Sequence, residues 1–117
     1  MLKSVFTGHY FCAKLKNTYS GDDKIYKLIE LVGLKGRAHD YVKAYSSGMK
    51  QRLKYAFALQ TQPDVLYLDE PTSNLDKQGI ECVYDIMNQH KQDKILVFAT
   101  NDEQDLKLAD QVVRIDT

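Results

Sequence analysis

Two neighbouring carboxylates, Asp69 and Glu70, close an uninterrupted apolar run, Val65-Leu66-Tyr67-Leu68. A short run of this kind has the pattern of a buried parallel strand, and ligands of open α/β sheets bind beyond the carboxyl ends of such strands. Acids placed there can do two things that phosphate chemistry needs. Asp69 can hold a Mg²⁺ through water, and Glu70 can accept a proton from an attacking water. The plainer alternative is a strand that ends in solvated acids. Upstream, Tyr45-Ser46-Ser47-Gly48-Met49 joins hydroxyls and a small residue to the start of an amphipathic helix. A helix N-terminus with these residues forms an anion site, for which the Ser46 hydroxyl and the Gly48 amide are the best donors.

The elements that must position these groups follow from periodicity. A helix is expected over about Thr7 to Lys16, with Tyr10, Phe11, Cys12 and Leu15 at helical spacing. A second begins at Asp22 and Asp23, which offer an N-cap and a dipole-favoured charge. It continues through Ile25, Leu28, Ile29 and Val32 and stops at Gly33. Met49, Leu53, Ala56, Phe57 and Gln60 mark a third, starting just after Ser46 and Ser47 and finishing before Pro63. Beyond Pro63 the pattern alternates: the strand Val65 to Leu68, a helix capped by Asp76 with Ile80, Val83, Tyr84 and Met87 on one face, and a strand Ile95 to Ala99. A one- or two-turn helix near Glu103 to Leu108 and a shorter strand, Gln111 to Ile115, complete the order. Helices first and then strands separated by crossover helices predict an α/β fold with a mainly parallel sheet.

Composition narrows the functional classes. The 117 residues suffice for one core, with 44% hydrophobic and 27% charged residues typical of a globular domain. Sixteen basic residues balance sixteen acidic ones, so no nucleic-acid partner is expected. Lys50, Arg52 and Lys54 read as a solvated helix face. No apolar run is long enough to span a bilayer, and Met1 to Thr7 does not have the form of a secretion signal. Cys12 and Cys82 are read as reduced core residues, which together with the lack of a secretion signal predicts a cytoplasmic protein. His9, His39 and His90 have no companions at metal-ligand spacing and are expected at the surface.

Pro71-Thr72-Ser73-Asn74-Leu75-Asp76 follows Glu70 directly. Taken with Tyr45 to Arg52 and with the Asp69-Glu70 doublet, this order resembles the ATP-binding cassette (ABC) ATPases. Ser46, Ser47, Gly48 and Met49 look like the family's signature motif, Asp69 and Glu70 like the end of its Walker B strand, and Ser73 to Asp76 like its D-loop. Ser47 stands where Gly is commoner and Met49 where Gln is commoner. The segment from Tyr45 to Leu59 is closest in style to cassettes of bacterial exporters. The resemblance implies a partial P-loop NTPase fold over residues 1–117, with the helical subdomain and signature helix at about 7–62 and the Walker B, D-loop and switch region at 63–117.

It also implies ATP and Mg²⁺ as ligands, with Asp69 toward the metal, Glu70 and Asn101 at the catalytic positions, and Ser46, Ser47, Gly48, Met49 and Asp76 toward nucleotide. The implied partners are a membrane permease subunit and either a second ATPase subunit or a half bearing the phosphate loop. Such a chain is expected in the cytoplasm or at the inner face of the membrane.

Three departures shape the expectation. No G-x-x-x-x-G-K-[ST] occurs; Gly8-His9-Tyr10-Phe11-Cys12-Ala13-Lys14-Leu15 lacks the second Gly and the hydroxyl. The Gln-bearing loop expected before the helical subdomain is missing as well. Where the family usually has Thr-His after the strand Ile95 to Ala99, this chain has Thr100-Asn101. An amide donates a hydrogen bond but does not titrate near neutral pH.

The chain thus resembles the C-terminal half of a cassette of an export transporter, expected to be inactive alone. The alternatives are a non-catalytic docking or regulatory module and a cassette coupled to DNA repair or translation. In the related cassettes the phosphate-loop strand lies between the strands matching Ile95 to Ala99 and Gln111 to Ile115. Without it, the last strand shifts inward, a second copy fills the slot, or Leu2 to Phe6 does; self-association is the expected consequence.

Overall fold

The computed structural model describes residues 21–115, so the helix expected over Thr7 to Lys16, with Cys12 and His9, lies outside the described residues. Three helices are arranged about a two-stranded sheet: α1 (Asp22–Leu31), α2 (Ser47–Gln60), β1 (Val65–Asp69), α3 (Lys77–Lys91) and β2 (Ile95–Ala99). Single 3₁₀ segments at Val42–Ala44 and Asp105–Leu108 complete the order.

The ends of α1 differ in how they are made. Gly21, with φ 119°, occupies the cap position without a side-chain hydrogen bond, so Asp22 and Asp23 bring favourable charge to the first turn and neither is the cap residue expected. At the other end Gly33 takes φ 78°, and the amides of Gly33 and Leu34 return to Glu30 O (2.9 Å) and Ile29 O (3.0 Å). This paired closure needs the left-handed conformation that glycine adopts without penalty. Arg52 on α2 also reaches this end, its Nη1 3.5 Å from the carbonyls of Val32 and Gly33. That corrects the expectation of a solvated Arg52: carbonyls left over at a helix C-terminus attract a cation. Lys50 and Lys54 are exposed as expected.

β1 and β2 are parallel and in register from Val65 opposite Ile95 to Asp69 opposite Ala99, with α3 as the crossover. One face is covered: Leu66 and Leu68 are buried with Ile25, Ile29 and Val32 of the α1 region, Leu53 and Ala56 of α2, and Val83, Ile86 and Met87 of α3. The other face is bare. Tyr67 is 63% exposed and Ile95 58%, with Val65 and Val97 beside them. Both strands were expected to be buried on both faces, but the described residues supply cover for one.

Gln111 to Ile115 forms no strand, contrary to expectation. Its residues are exposed, Val112 by 49% and Val113 by 86%, and the sheet of the described residues holds only β1 and β2. A strand exists by virtue of the ladder that satisfies its amides and carbonyls, and no neighbouring strand offers one here.

His90 also departs from the surface position expected for it. It is buried in the last turn of α3, its Nε2 3.1 Å from Ile95 O. His39 is exposed and pairs with the Tyr26 hydroxyl at 2.9 Å. Cys82 is a free thiol, half-buried and donating to Leu31 O at 3.4 Å.

Candidate functional site

β1 delivers Asp69 and Glu70 to the carboxyl edge of the sheet, as its apolar run predicts. Asp69 is exposed, and no described residue bonds its carboxylate. Glu70 continues the ladder by one bond, its amide donating to Ala99 O at 2.7 Å, and then turns the chain with φ 48°. A non-glycine residue in this region costs free energy and persists where the surroundings over-determine it. Here the surroundings are the Ala99 bond on one side and Pro71 on the other, whose carbonyl accepts from the buried Tyr55 hydroxyl at 2.6 Å. Burial pushes the Tyr55 phenol up from its ordinary value and so keeps it a donor.

Glu70 Oε1 accepts two hydrogen bonds from Asn101, one from the backbone N–H and one from Nδ2, both 3.0 Å. The two residues stand at the ends of neighbouring parallel strands, so the sheet register itself brings them together.

Beneath them lies a group that the motifs did not single out. Asp105 is completely buried, and three hydroxyls converge on its carboxylate. Thr100 donates to Oδ2 (2.6 Å), Tyr84 to Oδ1 (2.6 Å) and Thr72 to both oxygens (2.9 and 3.2 Å). Burial first, and the hydrogen bond to Asp105 second, push the Tyr84 phenol far above its ordinary value, so it serves as a fixed proton donor. The sequence signal for this cluster is faint. An acid just before Leu106-Lys107-Leu108 is its only local mark, and the three hydroxyls that satisfy it are scattered from Thr72 to Thr100.

The second centre is the start of α2. Ser46 caps the helix, its Oγ accepting from Met49 N at 3.2 Å. That bond uses a lone pair and leaves the hydroxyl proton available, while the first-turn amides of Ser47 and Gly48 have no intrahelical partners. Ser46 and Ser47 are exposed, and Gly48 and Met49 half so. A side chain added at Gly48 would begin 3.6 Å from Leu75 Cδ2, which places the turn before α3 against the start of α2. In that turn Asp76 caps α3 as expected, its Oδ1 accepting from Gly79 N at 2.8 Å.

The unpaired amides at the α2 start are donors of the kind an anion would need, and the exposed Asp69 carboxylate is an acceptor of the kind a divalent cation would need. Among the described residues no cluster of three metal-binding side chains exists, and Mg²⁺ is commonly held by one or two carboxylates together with waters and substrate phosphates.

Comparison with known proteins gives this geometry a family. The model for ABC transporters matches residues 4–73, and the chain belongs to that family. It is 44% identical over 92 residues to the ABC transporter ATP-binding protein YxlF of Bacillus subtilis (strain 168), covering 78% of this chain and 31% of YxlF. It is 39% identical over 84 residues to LolD of Protochlamydia amoebophila (strain UWE25), the ATP-binding protein of a lipoprotein-releasing system, covering 70% of this chain and 37% of LolD.

The fold matches the dimeric bacterial ABC transporter cassette MJ0796 with a TM-score of 0.76 at 20% identity, over 92% of this chain and 50% of that one. A post-hydrolysis form of MJ0796 bound to ADP and Pi matches with a TM-score of 0.68 at 23% identity, over 77% of this chain and 41% of that one. The chain therefore has an α/β ABC ATPase fold in part, spanning half or less of the proteins it matches. Among the described residues no helix is long and apolar enough to cross a membrane.

Proposed function

We propose that this chain supplies the signature, Walker B and switch portion of an ABC transporter ATP-binding subunit that couples ATP binding and hydrolysis to export. The carrying observation is the strand-end pair: Glu70 leaves β1 in a strained turn and meets Asn101 at the end of β2. When bound, ATP is the reactant and Mg²⁺ offsets its phosphate charge. Asp69 would hold the metal. Glu70 would take the proton from water with Oε2, the carboxylate oxygen that Asn101 leaves open, and Asn101 orients that carboxylate by two donors. The Ser46 hydroxyl and the amides of Ser47 and Gly48 would face a nucleotide held by another subunit, with Met49 and Asp76 lining the approach from the starts of α2 and α3.

No loop with the phosphate-cradling pattern occurs in the sequence, so the cradle comes from a partner subunit or a further segment. Working partners are then a phosphate-loop-bearing half or second subunit and a membrane permease, at the inner face of the membrane. A non-catalytic docking module is the second reading. It is favoured by Asn101, which occupies Glu70 Oε1 with two donors and does not take up or release a proton near neutral pH.

The purified chain is expected to bind ATP weakly and to show no turnover with Mg²⁺; a robust rate abolished by Glu70→Gln would overturn this. Adding a phosphate-loop-bearing cassette half should produce ATP-dependent association, and Ser46→Arg should abolish it by filling the anion site. Association indifferent to both ATP and Ser46→Arg would remove the role assigned to the α2 start.

A further inference from the structure

We infer that Asp105 is the positioning residue for the Glu70–Asn101 pair: its buried carboxylate ties the turn after β1 to the turn after β2 through Thr72 and Thr100. The inference deepens the reading of Glu70 as the water-activating group and rests on it for its functional meaning. Its geometry stands separately.

The two turns bearing Glu70 and Asn101 leave the sheet where the ladder ends, so backbone pairing no longer fixes them beyond the Glu70–Ala99 bond. The fastening that follows is made by side chains. Thr72 lies two residues after Glu70 and Thr100 immediately precedes Asn101, and both hydroxyls donate to the same carboxylate. Thr100 Oγ1 in addition accepts from Asp102 N at 2.9 Å, which fixes the residue on the other side of Asn101. Asn101 is thus held from both flanks with its two donors turned to Glu70.

Asp105 has no cationic partner within the described contacts; three hydroxyl donors satisfy it instead. A buried carboxylate satisfied in this way is directional, because losing one donor leaves acceptor capacity uncompensated in a site from which water is excluded. Tyr84 provides an internal contrast. Its hydroxyl donates to the same Oδ1 and lies beside Thr72, but it belongs to α3 and makes no hydrogen bond to the turn that carries Asn101.

The test is amide NMR on the full ¹⁵N-labelled chain, following hydrogen exchange of the Asn101 backbone amide and the resonances of its side-chain NH₂. Glu70→Ala supplies the signature of the released pair. Asp105→Asn, close in shape, and Thr100→Val, close in volume and without the hydroxyl, should speed Asn101 exchange by about tenfold or more, the loss of one well-made hydrogen bond. Both should move the NH₂ resonances toward those of Glu70→Ala. Tyr84→Phe removes a donor from the same carboxylate and should leave Asn101 within about twofold of its original rate, whatever it does to overall stability.

Equal loss of protection in Tyr84→Phe and Thr100→Val would reduce Asp105 to a core residue and overturn the inference. Unchanged Asn101 protection in both Asp105→Asn and Thr100→Val would also overturn it. If Asp105→Asn does not fold, Thr100→Val and Tyr84→Phe decide alone. Because these measurements use no nucleotide, an assembly with a phosphate-loop-bearing half whose ATP turnover is indifferent to Glu70→Gln would remove the functional reading and leave the positioning role intact.

Discussion

Tyr84, Tyr55 and Tyr45 carry protons that the fold keeps in place. Burial raises all three phenols, Tyr84 next to Asp105, Tyr55 under Pro71, and Tyr45 where its hydroxyl donates to Arg37 O at 2.6 Å. An unfolded phenol ionises around 10.0, and the folded chain resists that ionisation. The stability these groups contribute is therefore complete below pH 10 and falls as pH rises beyond it. Denaturant unfolding at stepped pH should give a plateau through neutrality and a decline above pH 10, and Tyr84→Phe should flatten that decline. Phenolate absorbance from these three should lag behind that of a free phenol as pH rises. At this scale the sequence was partly legible. An apolar run ending in two acids placed Asp69 and Glu70 without help, because strand polarity decides which end they occupy. Nothing local placed Asp105 or buried His90, since the partners that satisfy them come from other elements.

Helix termini were the most readable elements, because a cap is a contact between residues close in sequence. Gly33 and the Ser46 and Asp76 caps stand where their residue types predict, while Gly21, with φ 119°, takes the cap position expected of Asp22. Asp76→Ala should cost about 1 kcal/mol by freeing Gly79 N, and Asp76→Asn much less, since asparagine caps nearly as well. Urea unfolding with an unchanged slope would register this as a shift of midpoint. Gln111 to Ile115 was not readable on the same terms. Its residues have strand propensity, but pairing is decided by a neighbour whose presence no local pattern reports.

For the molecule as a whole, the bare face of the sheet has a measurable consequence. Val65, Tyr67, Ile95 and Val97 form an exposed apolar surface on strands whose outer edges are also unpaired among the described residues. Contiguous apolar surface and open edges favour association. Sedimentation should show mass rising with concentration, and Tyr67→Lys with Val97→Lys should lower it while leaving the covered face intact. A chain that stays monomeric at all concentrations would contradict this. The parallel pairing also governs how the chain can reach its fold. Every rung joins residues separated by the whole of α3, so no hairpin can start the sheet, and closing that loop costs entropy before any rung forms. The inner side of α3, where Val83, Ile86 and Met87 meet Leu66 and Leu68, must therefore assemble at or before the folding barrier. Truncating those side chains should slow folding itself, which stopped-flow refolding would register as a lower folding rate.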